Sequence, residues 1–146
     1  MNNLTIKIVT PERIVFEGQG ESLTVMTESG EITILPGHIP LVTILRPGEM
    51  RFKQNGEENL LAVSTGFLEV RPGNQIIVLA DTAERIEELE LEKIEKAKEE
   101  AQRILNEKRA ADDVSSAAAV AALERELARY KVAMKKKKVS HSINTD

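Results

Sequence analysis

Ser29-Gly-Glu-Ile-Thr-Ile-Leu-Pro-Gly-His-Ile-Pro-Leu-Val-Thr-Ile-Leu-Arg-Pro-Gly48 sets an unusual density of turn residues between two short β-branched runs. Ile32 and Ile34 alternate with Thr33, and Leu41 to Leu45 form a second apolar run. Between them Pro36, Gly37, His38 and Pro40 stop either strand from continuing, because proline lacks the N–H a sheet ladder needs. The stretch therefore reads as two strands joined by an irregular loop of specified shape.

The same punctuation extends in both directions. Strands are expected at Leu4 to Val9, Ile14 to Glu17, Ser22 to Thr27, Glu31 to Leu35, Leu41 to Leu45, Met50 to Lys53, Leu60 to Val63, Phe67 to Val70 and Ile76 to Ala80. Asn55-Gly56 is the signature of a type I′ hairpin turn, which needs positive φ at both central residues, and Pro72-Gly73-Asn74 is a second turn cluster. Many short strands imply a sandwich or barrel of adjacent antiparallel strands. All three phenylalanines, Phe16, Phe52 and Phe67, fall in this part, which supplies the large apolar side chains for a core. Near Asp81 the composition changes: all eight glycines and all five prolines precede it.

From about Glu88 the period becomes helical. Ile94, Ala97, Ala101 and Ile104 recur at spacings of three and four, and Leu91 and Leu105 widen the stripe. Ala111-Asp112-Asp113-Val114-Ser115-Ser116 interrupts it with turn and N-cap formers. A second helix follows, with Val120, Leu123, Leu127, Tyr130 and Met134 as a narrow seam. Two such helices with a short connection make an antiparallel hairpin. Its contacts are rich in alanine, which buries little area, so the hairpin should be marginal alone and easily rearranged. The fold class is α+β: an antiparallel β-sandwich over 1–84, a linker over 85–90, a helical hairpin over 91–138 and a flexible tail over 139–146.

Composition excludes much. There is no cysteine, so disulfide and thiolate chemistry are absent, and the chain offers only His38 and His141 as imidazoles, which leaves a metal site little but carboxylates. No apolar run is long enough to cross a bilayer, and the first residues lack the pattern of an export signal. As a catalytic base His38 would want a nucleophile and an acid such as Glu31, yet no serine elbow accompanies it. An isolated histidine more often fixes its loop by hydrogen bonding or sits at a protein contact. The chain carries a net charge of −4, but Arg125, Arg129, Lys131 and Lys135 to Lys138 make its last part basic. Without aromatic interleaving this is a weak nucleic-acid footprint, and lysines also complement a helix C-terminus.

The opening stretch resembles the signature segment of the epsilon subunit of bacterial F-type ATP synthase: a Gly-acidic pair, a strand, Pro-x-His-x-Pro and a closing glycine. Thr10-Pro-Glu-Arg13 with Phe16-Glu-Gly18, Ala62-Val-Ser-Thr-Gly-Phe-Leu-Glu-Val-Arg-Pro-Gly73 and Val78-Leu-Ala-Asp-Thr-Ala-Glu84 are similar to the family's segments in order and spacing. Met26 stands where members commonly have proline. Thr65 replaces a usual second glycine, which would strain it if that position required positive φ. Some members bind ATP through a short motif with an aspartate and an Arg-Ala pair; the run Val114-Ser-Ser-Ala-Ala-Ala119 has neither charge, so no cofactor is expected.

The resemblance implies a noncatalytic rotor subunit of a proton- or sodium-transporting complex, peripheral to the cytoplasmic face of the bacterial plasma membrane. Its implied partners are the gamma subunit, the c-ring and the catalytic alpha/beta head, not nucleic acid. Glu31 and His38 would lie at the contact with gamma or the c-ring. The helices would regulate hydrolysis by extending and placing the basic face of Arg125, Arg129 and Lys131 in the head.

Overall fold

The computed structural model describes residues 3–110 and 116–143. Ten strands come first: β1 (Leu4–Val9), β2 (Ile14–Gly20), β3 (Ser22–Thr27), β4 (Gly30–Ile34), β5 (Leu41–Leu45), β6 (Gly48–Gln54), β7 (Glu57–Val63), β8 (Gly66–Arg71), β9 (Gln75–Ala80) and β10 (Ala83–Arg85). A single 3-10 turn, Ile86–Glu88, leads into α1 (Leu91–Ala110) and then α2 (Ser116–Ile143). The strands form one hydrogen-bonded ribbon in the order β10-β7-β6-β3-β5-β8-β9-β1-β2, with β4 paired to β3. Folded over itself, the ribbon makes the sandwich. One pairing departs from the antiparallel expectation: β1 lies parallel to β9, because the chain's first strand is inserted between the last long strand and β2.

Alternation decides which face goes inside. Leu4, Ile6 and Ile8 of β1, Leu23 and Val25 of β3, Leu68 and Val70 of β8, and Ile76 and Val78 of β9 fill a single apolar core. Phe16 and Phe52 stack there, with ring centroids 4.3 Å apart. Phe67 does not join them; it is 55 % exposed on the outer face. Asn55 and Gly56 have φ of 52° and 80°, as the type I′ turn between β6 and β7 requires. Among the described residues Asn55 and Asn74 are the non-glycine positions with positive φ, so Thr65 is unstrained. Its hydroxyl donates to Asp81 Oδ2 at 3.0 Å, tying the turn between β7 and β8 to the one between β9 and β10.

The segment 85–90 is docked. Ile86 and Leu89 join Ile94, Leu91, Tyr130, Val132 and Ala133 around Leu60 and Ala62 of β7, so the helical pair sits on the outer face of the sandwich. Arg13 donates to both carboxylate oxygens of Glu88, at 3.1 and 2.7 Å, and pins the 3-10 turn to the loop between β1 and β2. Within the pair Ile94 and Leu105 of α1 are fully buried, and Lys98 lies 4.1 Å from the centroid of Tyr130. The expected seam on α2 is displaced. Leu127 is 44 % exposed, whereas among the described residues Ala119, Glu126, Ala128, Val132 and Ala133 are buried, because the helix also has to face the sheet. The helix continues to Ile143, into the stretch read as a tail. Most of the interruption read at 111–116, and Val114 and Ser115 of the ATP-motif comparison, fall outside the described residues.

Candidate partner-contact surfaces

β5, β8, β9 and β1 are neighbours in the sheet, and each turns at least one apolar side chain away from the core. Register aligns Ile44 with Phe67, Phe67 with Leu79, and Leu79 with Val9, giving an apolar row across four adjacent strands. Ile44, Phe67 and Leu79 are exposed, as is Val42 on the same face of β5. With Thr10, Pro11, Thr65 and Asp81 the row lines a shallow groove of about 460 Å³. An uncovered apolar patch of this kind is the ordinary mark of a protein contact.

The loop between β4 and β5 forms a second feature. His38 Nδ1 lies 2.6 Å from the Ile39 carbonyl, and the His38 N–H donates to Leu35 O at 3.2 Å. Gly37 N–H donates to Asn74 Oδ1 at 2.7 Å, tying the loop to the turn between β8 and β9. The imidazole thus fixes the loop that carries it, while Leu35 and Ile39, the latter 75 % exposed, point outward. Glu31 lies elsewhere. It is exposed on β4, accepts from Arg51 Nη2 at 3.4 Å, and lines a groove with Glu49, Arg51, Leu127 and Lys131. The fold therefore separates Glu31 from the His38 loop and brings it to the same groove as Lys131.

The basic residues of α2 divide by partner. Arg129 donates from Nε to Glu84 Oε2 at 2.8 Å and from Nη1 to Glu126 Oε2 at 2.7 Å. Burial alone would lower the Arg129 guanidinium, and these two carboxylates more than offset it, so its pKa is raised. Among the described residues Arg125 pairs with its neighbour Glu126, at 3.4 Å, and Lys131 is exposed. Lys135, read in the sequence only as part of the basic run, donates to Glu49 Oε1 at 2.8 Å with Oε2 2.6 Å away. Glu49 is buried on β6, where Arg51 Nη1 is a further 3.2 Å donor. Burial pushes its carboxyl up, but Lys135 and Arg51 outweigh this and hold it below the usual carboxylate value.

A polar groove of about 440 Å³ opens where the sandwich meets the helices. Its cations face carboxylates: Arg13 on Glu88, Arg129 on Glu84 and Lys93 on Glu90. Among the described residues no group of three or more His, Asp or Glu is arranged to hold a metal, and no helix is long and apolar enough to cross a membrane.

Residues 3–86 match the family described as "ATP synthase, Delta/Epsilon chain, beta-sandwich domain". The ATP synthase epsilon chain of Shouchella clausii is 41 % identical over 136 residues, covering 93 % of this chain and 98 % of that one. The chain belongs to the ATP synthase epsilon chain family. The epsilon chain of Moorella thermoacetica is 44 % identical over 135 residues, 91 % of this chain and 98 % of its own. A chain of the Euglena gracilis mitochondrial ATP synthase shares the fold, with a TM-score of 0.71 at 24 % identity over 85 % of this chain and 77 % of that one.

Two elements of this epsilon-family surface escaped the sequence reading. The outward apolar row had a visible signal, since β5 reads Leu-Val-Thr-Ile-Leu with apolar residues on both faces. The acids Glu49 and Glu84, and the pairing of Glu49 with Lys135, had none: each acid is one of many exposed-looking charges until the helix is laid on the sheet.

Proposed function

We propose that the chain is a noncatalytic subunit of the rotating central stalk, whose sandwich binds the gamma subunit and the top of the c-ring and so helps couple ion flow to ATP synthesis. The uncovered row Ile44, Phe67, Leu79 and Val9 carries this reading. Four adjacent strands presenting apolar side chains outward make a rigid platform, and burying it at about 25 cal/mol per Å² would offset much of the cost of association. The exposed Leu35 and Ile39, on a loop already fixed by His38 and Asn74, supply a second contact of the same kind, suited to the c-ring. The assembled complex would lie at the cytoplasmic face of a bacterial plasma membrane, with this chain peripheral to it.

The helical pair is the regulatory part of the same reading. Docked, it occupies Arg129 on Glu84; extended along the shaft, it would present Arg125, Arg129 and Lys131 to an acidic segment of the catalytic head and oppose hydrolysis. Because Arg129 serves the docked state, Arg125 and Lys131 are the cleaner probes of the extended one.

Co-purification with gamma from the same genome tests the platform. Phe67→Glu should weaken capture at least tenfold while leaving the chain folded, and unchanged capture would remove the row from the interface. Truncation before Leu91 in the whole complex should preserve assembly and raise ATP hydrolysis. Replacing Arg125 and Lys131 by alanine should relieve inhibition without loosening gamma, and lost gamma binding would instead assign those residues to assembly.

A further inference from the structure

Glu49 on β6, Ala62 on β7 and Glu84 on β10 are direct cross-strand partners, so they form one row across three strands with an acid at each end. α2 lies over this row. Val132 and Ala133 pack on Ala62 in the middle, Arg129 reaches Glu84 at one end, and Lys135 reaches Glu49 at the other. The spacings agree. Six residues of helix rise about 9 Å, and two strand intervals span about 9.6 Å.

We propose that Arg129 and Lys135 form a two-point clasp, matched in register to Glu84 and Glu49, that sets how often the helical pair leaves the sandwich. The clasp deepens the regulatory reading and rests on it for its biological role, but its physics belongs to the isolated chain. Its two ends differ. Arg129 keeps Glu126 of its own helix as a partner wherever α2 goes, so losing Glu84 leaves it still paired. Glu49 behaves differently: docking buries it, and with Lys135 missing it would be a buried carboxylate with Arg51 alone, which is itself shared with Glu31. Breaking a buried pair from one side costs more than replacing both members by apolar groups. Lys135 is therefore the positioning residue of the switch, and Arg129 the weaker end.

The absence of cysteine makes the test direct. Cysteines placed at the exposed positions Lys53 on β6 and Glu95 on α1 of the full chain, carrying a donor and an acceptor dye, report docked and undocked populations by energy transfer. Lys135→Met should lower the docked-to-undocked ratio about tenfold, discounted from a fully buried pair because the lysine is partly exposed. Glu49→Met with Lys135→Met should restore it to within about twofold, and the ratio should then fall less between 0.05 and 1 M salt than it does in the parent, since only the Arg129–Glu84 end of the clasp is left to be screened. Glu84→Gln should change it less than Lys135→Met. Circular dichroism with hydrogen exchange in β1 and β9 separates undocking from unfolding; if Lys135→Met disturbs the strands, Lys135→Gln takes its place in the cycle. Additive single effects, or a Lys135 variant that leaves the population unchanged, overturn the clasp. The regulatory reading fails separately, if truncation before Leu91 leaves hydrolysis by the whole complex unaltered.

Discussion

At the centre of the sandwich Leu4, Ile6, Ile8, Leu68 and Ile76 lie fully or almost fully out of contact with water. Where α2 meets β7, the contact instead rests on Val132, Ala133 and Ala62, flanked by the ion pairs Arg129–Glu84 and Lys135–Glu49. Long side chains interlocked across two layers leave no alternative packing, whereas alanine and charge can be satisfied again by water or by another protein. The same chain thus combines a platform that should not move with an attachment that can. The helices' own hairpin core is intermediate, since Ile94 and Leu105 are fully buried but their neighbours Ala97 and Ala101 are small and only half-buried.

The difference can be broken most severely at Gly66. A Cβ there would lie 2.0 Å from the Leu79 carbonyl oxygen and 2.7 Å from Ala80 Cα, and neither is a flexible side chain that could swing away. Gly66→Ala should cost about 3 kcal/mol or more and lower the melting temperature of the sandwich by at least ~12 °C, or prevent soluble expression. Calorimetry decides it, and a loss below about 1 kcal/mol would mean that β8 and β9 can separate cheaply.

A matched pair of cavities sharpens the contrast. Leu68 in the sandwich and Ile94 in α1 are both fully buried, so truncating either to alanine removes a comparable amount of apolar contact, about 2–5 kcal/mol. The consequences should differ. Leu68→Ala should lower the melting of the entire chain, whereas Ile94→Ala should release protection from hydrogen exchange in α1 and α2 while β1 and β9 stay protected. Equal loss in both regions would make the molecule one cooperative unit.

Acid should act on the attachment before it acts on the platform. Glu49 faces Lys135 of α2 and Arg51 of its own strand, with Glu31 beyond Arg51 and Glu124 and Lys131 lining the same groove. Its docked pKa lies below the ordinary 4.5, so its contribution to docking is complete above that value and fades as pH falls through the lowered one. The docked population should therefore decline below about pH 4.5 in the parent, and Glu49→Gln should be flatter over that window. Glu88, lowered by its hydrogen bond from Arg13, acts in the same direction and remains in both proteins.

The sandwich was legible because its signals are local and redundant. Proline and glycine mark most of the turns between strands, alternation assigns the faces, and Asn55-Gly56 dictates its turn from two residues alone. Short, late elements were not: β10 has three residues and exists because β7 offers it an edge. The parallel pairing of β1 with β9 leaves no trace in either strand, since it is set by how the ribbon folds over. Phe67 shows the limit of hydrophobicity as a guide to burial, because an apolar residue facing a partner and one facing the core look alike in sequence. Arg129 was visible as a basic residue, but its partners Glu84 and Glu126 were not identifiable among 24 acids.

Leu127 separates the two ways of reading α2, and it does so with the smallest expected effect. A seam through Val120, Leu123, Leu127, Tyr130 and Met134 would put this leucine at the centre of a helix–helix contact, where Leu127→Gln would cost about 2 kcal/mol or more. In the structure the helix is turned so that Glu126 and Ala128 face inward and Leu127 looks into the groove shared with Glu31 and Lys131. Glutamine there loses little contact and retains good helix propensity, so chemical unfolding should shift by no more than about 0.5 kcal/mol. A large loss would return α2 to the seam orientation. That rotation would carry Lys135 and Arg129 away from Glu49 and Glu84, so this quiet substitution also checks the geometry on which the clasp depends.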